Sequence, residues 1–452
     1  MNRLLALVAF AGMAALLAGP AAAVAAGPGA RFGPARATPT YGEGISFTQD
    51  VNLAEVPARV ELELTFPGAP GAFLIEVPSP ESIGNVVLRY EYSVRADGHV
   101  LPNTRIGARW VLTFGQAAAA RAETGELISV LYRDTRFQWR MRAGDVVRVH
   151  WYEGDASFGD RALAIGERAV RETAELLGVD ERQPIDFYIY ADEDAFREAL
   201  GPGTYENVGG QANAEIRTLF ALVRPSEIDQ PWVGNVIPHE LVHLVFNTAV
   251  DNPYHFPPKW LNEGLAVYLS QGVDRAARDA VDAAAKRGEL MPLTALSGQF
   301  PTTFERFSLA YSESASAVDY LVRAHGRDAL VELIRSYATG TTDDRAFERA
   351  IGMDLDAFDE AWRSALGAAD PVVRGPQPAP AGPVPSGWES PAGTLPTPSA
   401  SAPPPADPST VRVVPSEPGP ASDGVPLVAA GLVAAALVAF LTIRSRGGGR
   451  AS

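Results

Sequence analysis

His239-Glu240-Leu241-Val242-His243, followed after nineteen further residues by Glu263, constrains this chain more than any other feature. Residues four apart on a helix lie on one face, a turn above each other, so a helix here brings both imidazoles to one ion. Glu240 sits about 100° further round that helix, close enough to hold a water beside the ion. Glu263 falls within Trp260-Leu261-Asn262-Glu263-Gly264, and Leu261, Leu265 and Leu269 around it keep a helical spacing. A carboxylate on a largely apolar, core-packed helix needs a partner or a metal. The expectation is therefore two helices packed together, with His239, His243 and Glu263 as metal ligands and a fourth position open to water, the arrangement of catalytic zinc. The plainer readings are a helix with two surface histidines and a solvated Glu240, and a salt bridge from Glu263 to a nearby Arg. The chain has only six His, so a chance match to this pattern is uncommon.

The strings HELVH and WLNEGLAVY resemble the gluzincin zinc metallopeptidases of the thermolysin and aminopeptidase N type, and more narrowly the bacterial peptidase MA-like family. The spacing from His243 to Glu263 is that of the thermolysin type and one residue longer than that of the aminopeptidase N type. A third stretch, Ala310 to Leu321, is similar to the aminopeptidase segment whose Tyr stabilises the transition state. The resemblance implies that role for Tyr311; a Tyr packed at a helix start is the alternative. The sequence departs from the family in three places. The carboxylate expected four residues after Glu263 is replaced by Val267, so support for the histidines must come from elsewhere. The aminopeptidase motif GxMEN is missing, and its nearest counterpart, Gly209 to Glu215, carries neutral Gln211, Ala212 and Asn213. Pro238 precedes His239, and proline is tolerated best in the first helical turn, so the helix is expected to start near Asn235 or to kink there.

The two ends of the chain bear on compartment. Residues 1–26 carry Arg3, an apolar run from Leu4 to Leu17 and small residues from Ala21 to Ala26, the pattern of a signal peptide. Residues 425–443 are apolar and uncharged, long enough at about 28 Å to span a bilayer core as a helix. Arg444, Arg446 and Arg450 follow, marking residues 444–452 as cytoplasmic. The chain is thus expected to be a single-pass protein of the bacterial cell membrane with its catalytic domain outside. There is no Cys, which excludes disulfides, thiolate metal sites and Cys nucleophiles. A net charge of −16 argues against nucleic acid as a partner.

Between these ends the expected class is α+β. Residues from about 42 to 150 alternate as half-buried strands do, at Val60 to Leu64, Val86 to Tyr90 and Val146 to His150, and residues 27–150 read as an antiparallel β-sandwich domain. His99 and His150 stand alone there and read as surface or core residues. Residues 151–368 change to helical period and form the gluzincin-like domain, a small sheet followed by a mainly helical lobe. Residues 369–424 are rich in Pro, Ala and Ser and read as a disordered stalk. The expected activity is hydrolysis of peptide bonds in a peptide or protein substrate with Zn²⁺ as cofactor. Glu240 is the general base and Tyr311 a second catalytic residue. Neutral residues at 211–213 favour internal cleavage. The alternatives are an aminopeptidase, with Glu215 or Glu206 as the amine anchor, and a non-catalytic surface protein that keeps the fold. His255 reads as a surface residue or an extra donor.

Overall fold

The computed structural model describes residues 29–116, 120–202, 209–252, 256–369 and 412–413. The leader expected at 1–26, almost all of the stalk at 369–424 and the span at 425–443 lie outside these, as do Glu206 and His255. Among the described residues no helix is long and apolar enough to cross a membrane.

The N-terminal part consists of β1 (Ala30–Thr40), β2 (Gly44–Leu53), β3 (Arg59–Thr65), β4 (Phe73–Val77), β5 (Gly84–Ser93), β6 (Arg105–Phe114), β7 (Arg121–Thr124) and β8 (Ile128–Leu131). One sheet runs β1-β2-β5; the other runs β4-β3-β6-β7, with β8 also on β6. All these pairings are antiparallel. Strand alternation produces the core between them: Ile106, Ala108, Trp110, Leu112 and Phe114 of β6 are buried, as are Ile45 and Phe47 of β2 and Val60 and Leu62 of β3. β1 lies before residue 42, where the alternation expected from the sequence begins. The register of β1 slips between Phe32 and Ala35, around Pro34. Proline lacks the ladder donor and is confined to edges and bulges, so its presence disguises a real edge strand.

The second sheet-bearing part begins with β9 (Arg140–Ala143), β10 (Val147–Trp151), α1 (Ala156–Leu177), β11 (Ile185–Tyr190), α2 (Glu193–Leu200), β12 (Gly210–Asn213) and β13 (Thr218–Leu222). Its sheet runs β12-β13-β11-β10-β9. The β10–β11 and β11–β13 pairs are parallel, joined through α1 in the first case. Asp155 caps α1 by accepting from the Phe158 amide at 3.0 Å. β10 therefore belongs with the helical part, and the boundary expected at 150 falls inside a sheet. Alternation alone could not reveal this, because a strand's pattern does not name its neighbour.

On β10 and β11, Val147, Val149, Ile185 and Phe187 are buried in one cluster with α1 and the helices that follow. The opposite face carries Arg148, His150, Asp186 and Tyr188, and the N-terminal part docks there. Asn103 donates to Asp186 Oδ2 at 3.0 Å and Thr218 Oγ1 at 2.9 Å, and Tyr190 donates to Asp134 Oδ2 at 3.0 Å. The two isolated histidines join in: His99 Nε2 lies 3.0 Å from the Ala199 carbonyl, and His150 Nε2 lies 2.7 Å from Asp186.

The rest is helical: α3 (Val233–Val250), α4 (Lys259–Ser270), α5 (Arg275–Lys286), α6 (Phe304–His325), α7 (Arg327–Ser336), α8 (Asp343–Ile351) and α9 (Leu355–Ala365). α3 starts at Val233 and contains Pro238 in its interior, earlier than the expected start near Asn235. The residue whose carbonyl the proline ring would meet is four back, Gly234, so the crowding falls where the backbone carries no side chain.

Candidate metal centre

α3, α4, α6 and β12 meet at one buried point. His239 and His243 project from one face of α3, one turn apart, with Nε2 atoms 3.3 Å from each other. α4 crosses them and brings Glu263 Oε2 to 3.5 Å from both Nε2 atoms. The three donor atoms lie within 4.8 Å of one another, and all three residues are buried. Gly264 permits this crossing: a Cβ there would be driven into the Ser314 carbonyl oxygen of α6.

The chemistry of these groups is that of a cation site. Both Glu263 oxygens are buried without a hydrogen-bond partner, an expensive arrangement unless a positive charge satisfies them. Lys259 offers a distant one, its Nζ 4.0 Å from Glu263 Oε1. Burial, ahead of the other charges, lowers His243 to about 4, leaving the neutral imidazole that a metal requires. Burial opposes the charge on Glu263, but His243 and His239 outweigh it and hold this carboxyl below its ordinary value. Two imidazoles and one carboxylate are a donor set that fits Zn²⁺.

Glu240 faces the same point from the next position on α3. Its Oε2 accepts the Ala212 amide of β12 at 2.9 Å, while Oε1 is buried and unpartnered. Burial, then the Glu263 carboxylate, pushes its pKa well above the ordinary value. Tyr311 of α6 is buried with its ring 6.4 Å from the His239 ring, against Phe300 at 5.2 Å and Phe307 at 5.0 Å. All five residues singled out in the sequence thus lie together.

Two contacts were not foreseen. Asn262 Oδ1 sits 2.9 Å from His243 Nδ1, fixing the tautomer that turns Nε2 toward the centre. It provides the support that Val267 does not. The other is the Ala212 amide, a backbone group that no side-chain pattern reports. A cavity of about 230 Å³ opens beside His239 and Tyr311, walled by Val236, Val267, Ala277, Ala280 and Leu309.

The Peptidase MA superfamily model matches residues 166–368, a stretch that contains every residue of this centre. Over this stretch, a little under half of its length, the chain is similar to the Peptidase MA superfamily. The matched stretch starts inside α1 and ends just past α9. No curated protein matches the chain. Among solved structures, an M1 zinc metallopeptidase from Deinococcus radiodurans shares 16% identity, covering 74% of this chain and 94% of its own at a TM-score of 0.36. An aminopeptidase N family protein from Idiomarina loihiensis shares 12% identity, covering 72% of this chain and 75% of its own at a TM-score of 0.40. At this identity and score neither likeness extends to function.

Proposed function

We propose that the chain is a zinc-dependent peptidase that cleaves peptide bonds internally, with His239, His243 and Glu263 holding the metal. The observation that carries this reading is the free Oε1 of Glu240, buried beside three converging ligands. A solvated surface helix would present none of these groups buried, and a binding module has no use for Glu240.

Zinc, when bound, supplies a Lewis acid that polarises a carbonyl and makes water acidic near neutral pH. The chain does the rest. The Ala212 amide holds Oε2 of Glu240, so Oε1 is the oxygen that takes a proton from the attacking water. Glu240 then gives that proton to the departing amine, completing its cycle. The Tyr311 hydroxyl is the second donor for the developing oxyanion. The apolar cavity beside His239 takes a substrate side chain of the residue next to the cut.

Internal cleavage is favoured by what lines β12. Gln211 and Asn213 are buried and neutral, and Asn213 is occupied in accepting the Ile216 amide at 3.1 Å. Neither offsets a buried ammonium group. Glu215, a candidate anchor for a free amino terminus, is exposed and lies against Gly68 of the N-terminal part, away from the zinc ligands. The location is part of the same proposal: residues 1–26 export the chain, 425–443 anchor it, and the peptidase acts outside the cell.

Metal analysis of the purified chain, with cleavage of a peptide library carrying free and acetylated amino termini, tests the reading. One zinc per chain and acetylated substrates cut within a few-fold of free ones are expected. Release of single residues from free termini only would make it an aminopeptidase; no cleavage of any peptide by the zinc-loaded chain would overturn the activity.

A further inference from the structure

The N-terminal sheets do not cover the whole outer face of the catalytic sheet. A cleft of about 880 Å³ remains between them, and no residue of the metal centre lines it. Alternation decides its walls. On β10 and β11 the apolar residues face the helices, which turns Arg148, His150, Asp186 and Tyr188 into the cleft. On the other side Arg105 and Leu131 are cross-strand partners of β6 and β8. They share a face, and Arg133, two residues past Leu131, lines the same wall.

The charges in this cleft are mostly spent. Arg148 grips Asp186 through two nitrogens at 2.9 and 2.6 Å, with His150 and Asn103 on the same carboxylate. Asp134 pairs with Arg136, and Arg217 with Glu181, each at 2.7 Å. Arg105 and Arg133 have no ion pair among the described residues. The same cleft is lined by aromatic rings: His150 stacks on Tyr188 at 4.2 Å and Trp139 meets Tyr188 edge-on at 5.1 Å. Phe137 and Met141 continue this apolar surface, and Met141 is 56% exposed.

Guanidinium groups bind carboxylates through paired, charge-assisted hydrogen bonds. Two of them beside an aromatic surface match a ligand with one carboxylate and an apolar body. Glu215 at the rim disfavours a polyanion and can accept from a backbone amide. The volume exceeds what one amino acid fills and lies in the usual range for ligand sites. We propose that the cleft between the two parts is a second binding site, for the free C-terminal end of a peptide. Its carboxylate sits on Arg105 and Arg133, and its last, apolar side chain lies against Trp139, Phe137 and Met141.

The test is equilibrium binding, so it does not depend on the proposed peptidase chemistry. The full chain carrying Glu240→Ala is titrated into a fluorescent, N-blocked peptide ending in Phe, as free acid and as amide, and anisotropy is read. The acid should bind about tenfold or more tightly than the amide, the scale of a charged hydrogen-bonded pair. That preference should vanish when Arg105→Gln and Arg133→Gln are added, and should persist after zinc is stripped. Both arginines are exposed, so the fold should survive, as circular dichroism will report. Competition by 3-phenylpropanoate but not by its amide gives the same answer with the cleft unaltered. Equal binding of acid and amide, an acid preference that survives the double substitution, or equal competition by both small molecules would each overturn the site.

Discussion

Asn262→Ala separates support of the metal centre from the centre itself. The substitution removes the acceptor 2.9 Å from His243 Nδ1 and leaves all three ligands in place. Partners of this kind are worth about 10–100-fold in metal affinity, or about 1.4–2.7 kcal/mol. The cost to the metal-free fold should be smaller than for an ordinary buried hydrogen bond. One amide nitrogen of Asn262 is itself buried without a partner, so its removal relieves one unsatisfied donor while creating another on His243. Zinc affinity is read by competition against a chelator of known strength, and apo-protein stability by urea denaturation. A dissociation constant raised about 10–100-fold, with a much smaller proportional change in apo stability, is expected. A dissociation constant within twofold of the parent would refute the idea that Asn262 orients His243. Equal losses in both measurements would make Asn262 a packing residue.

His239→Ala, His243→Ala and Glu263→Ala should each abolish stoichiometric zinc, measured by metal analysis after dialysis. Glu240→Ala should retain zinc and lose turnover by about 10²-fold or more; near-normal turnover would end the general-base assignment. Tyr311→Phe should lower kcat by about 10²-fold with little change in KM. Gly264→Ala should cost about 1–3 kcal/mol of stability through overpacking against α6, seen as an earlier denaturation midpoint. Glu313 provides the pH prediction. Burial raises its pKa to about 8, so the folded state binds a proton that the unfolded state releases at ordinary carboxyl values. Its contribution is therefore intact at low pH and is lost progressively as pH rises toward 8. Glu313→Gln should flatten this slope, making the variant more stable than the parent at pH 8 but not at pH 4.

The ligand triplet was legible because a helix converts a spacing of four into a shared face, and because Glu263 stands alone in an apolar stretch. Asn262 was not, since next to a stronger signal a buried amide looks like ordinary helix composition. The Ala212 amide could not have been, because every residue but proline carries one. α3 starts before the position near Asn235 that Pro238 suggests, and carries the proline in its interior. β1 was hidden by its prolines, and β10 was seen as a strand but assigned to the wrong neighbours. Periodicity reports which face is buried, while strand partners depend on contacts remote in sequence.

The position of β10 bears on how the chain is made. It lies between β9 and β11, one partner antiparallel and close in sequence, the other parallel and reached only after α1 is complete. The antiparallel sheets before it are assembled largely from nearby segments, so they can close while the ribosome is still adding the helices. The outer face of the later sheet would then be laid down against a surface already formed, with Asp186 meeting Asn103 on arrival. A chain cut to begin at residue 151 would lose most of β10 and that template together, and should yield insoluble product. One that begins at residue 29 keeps both and should fold.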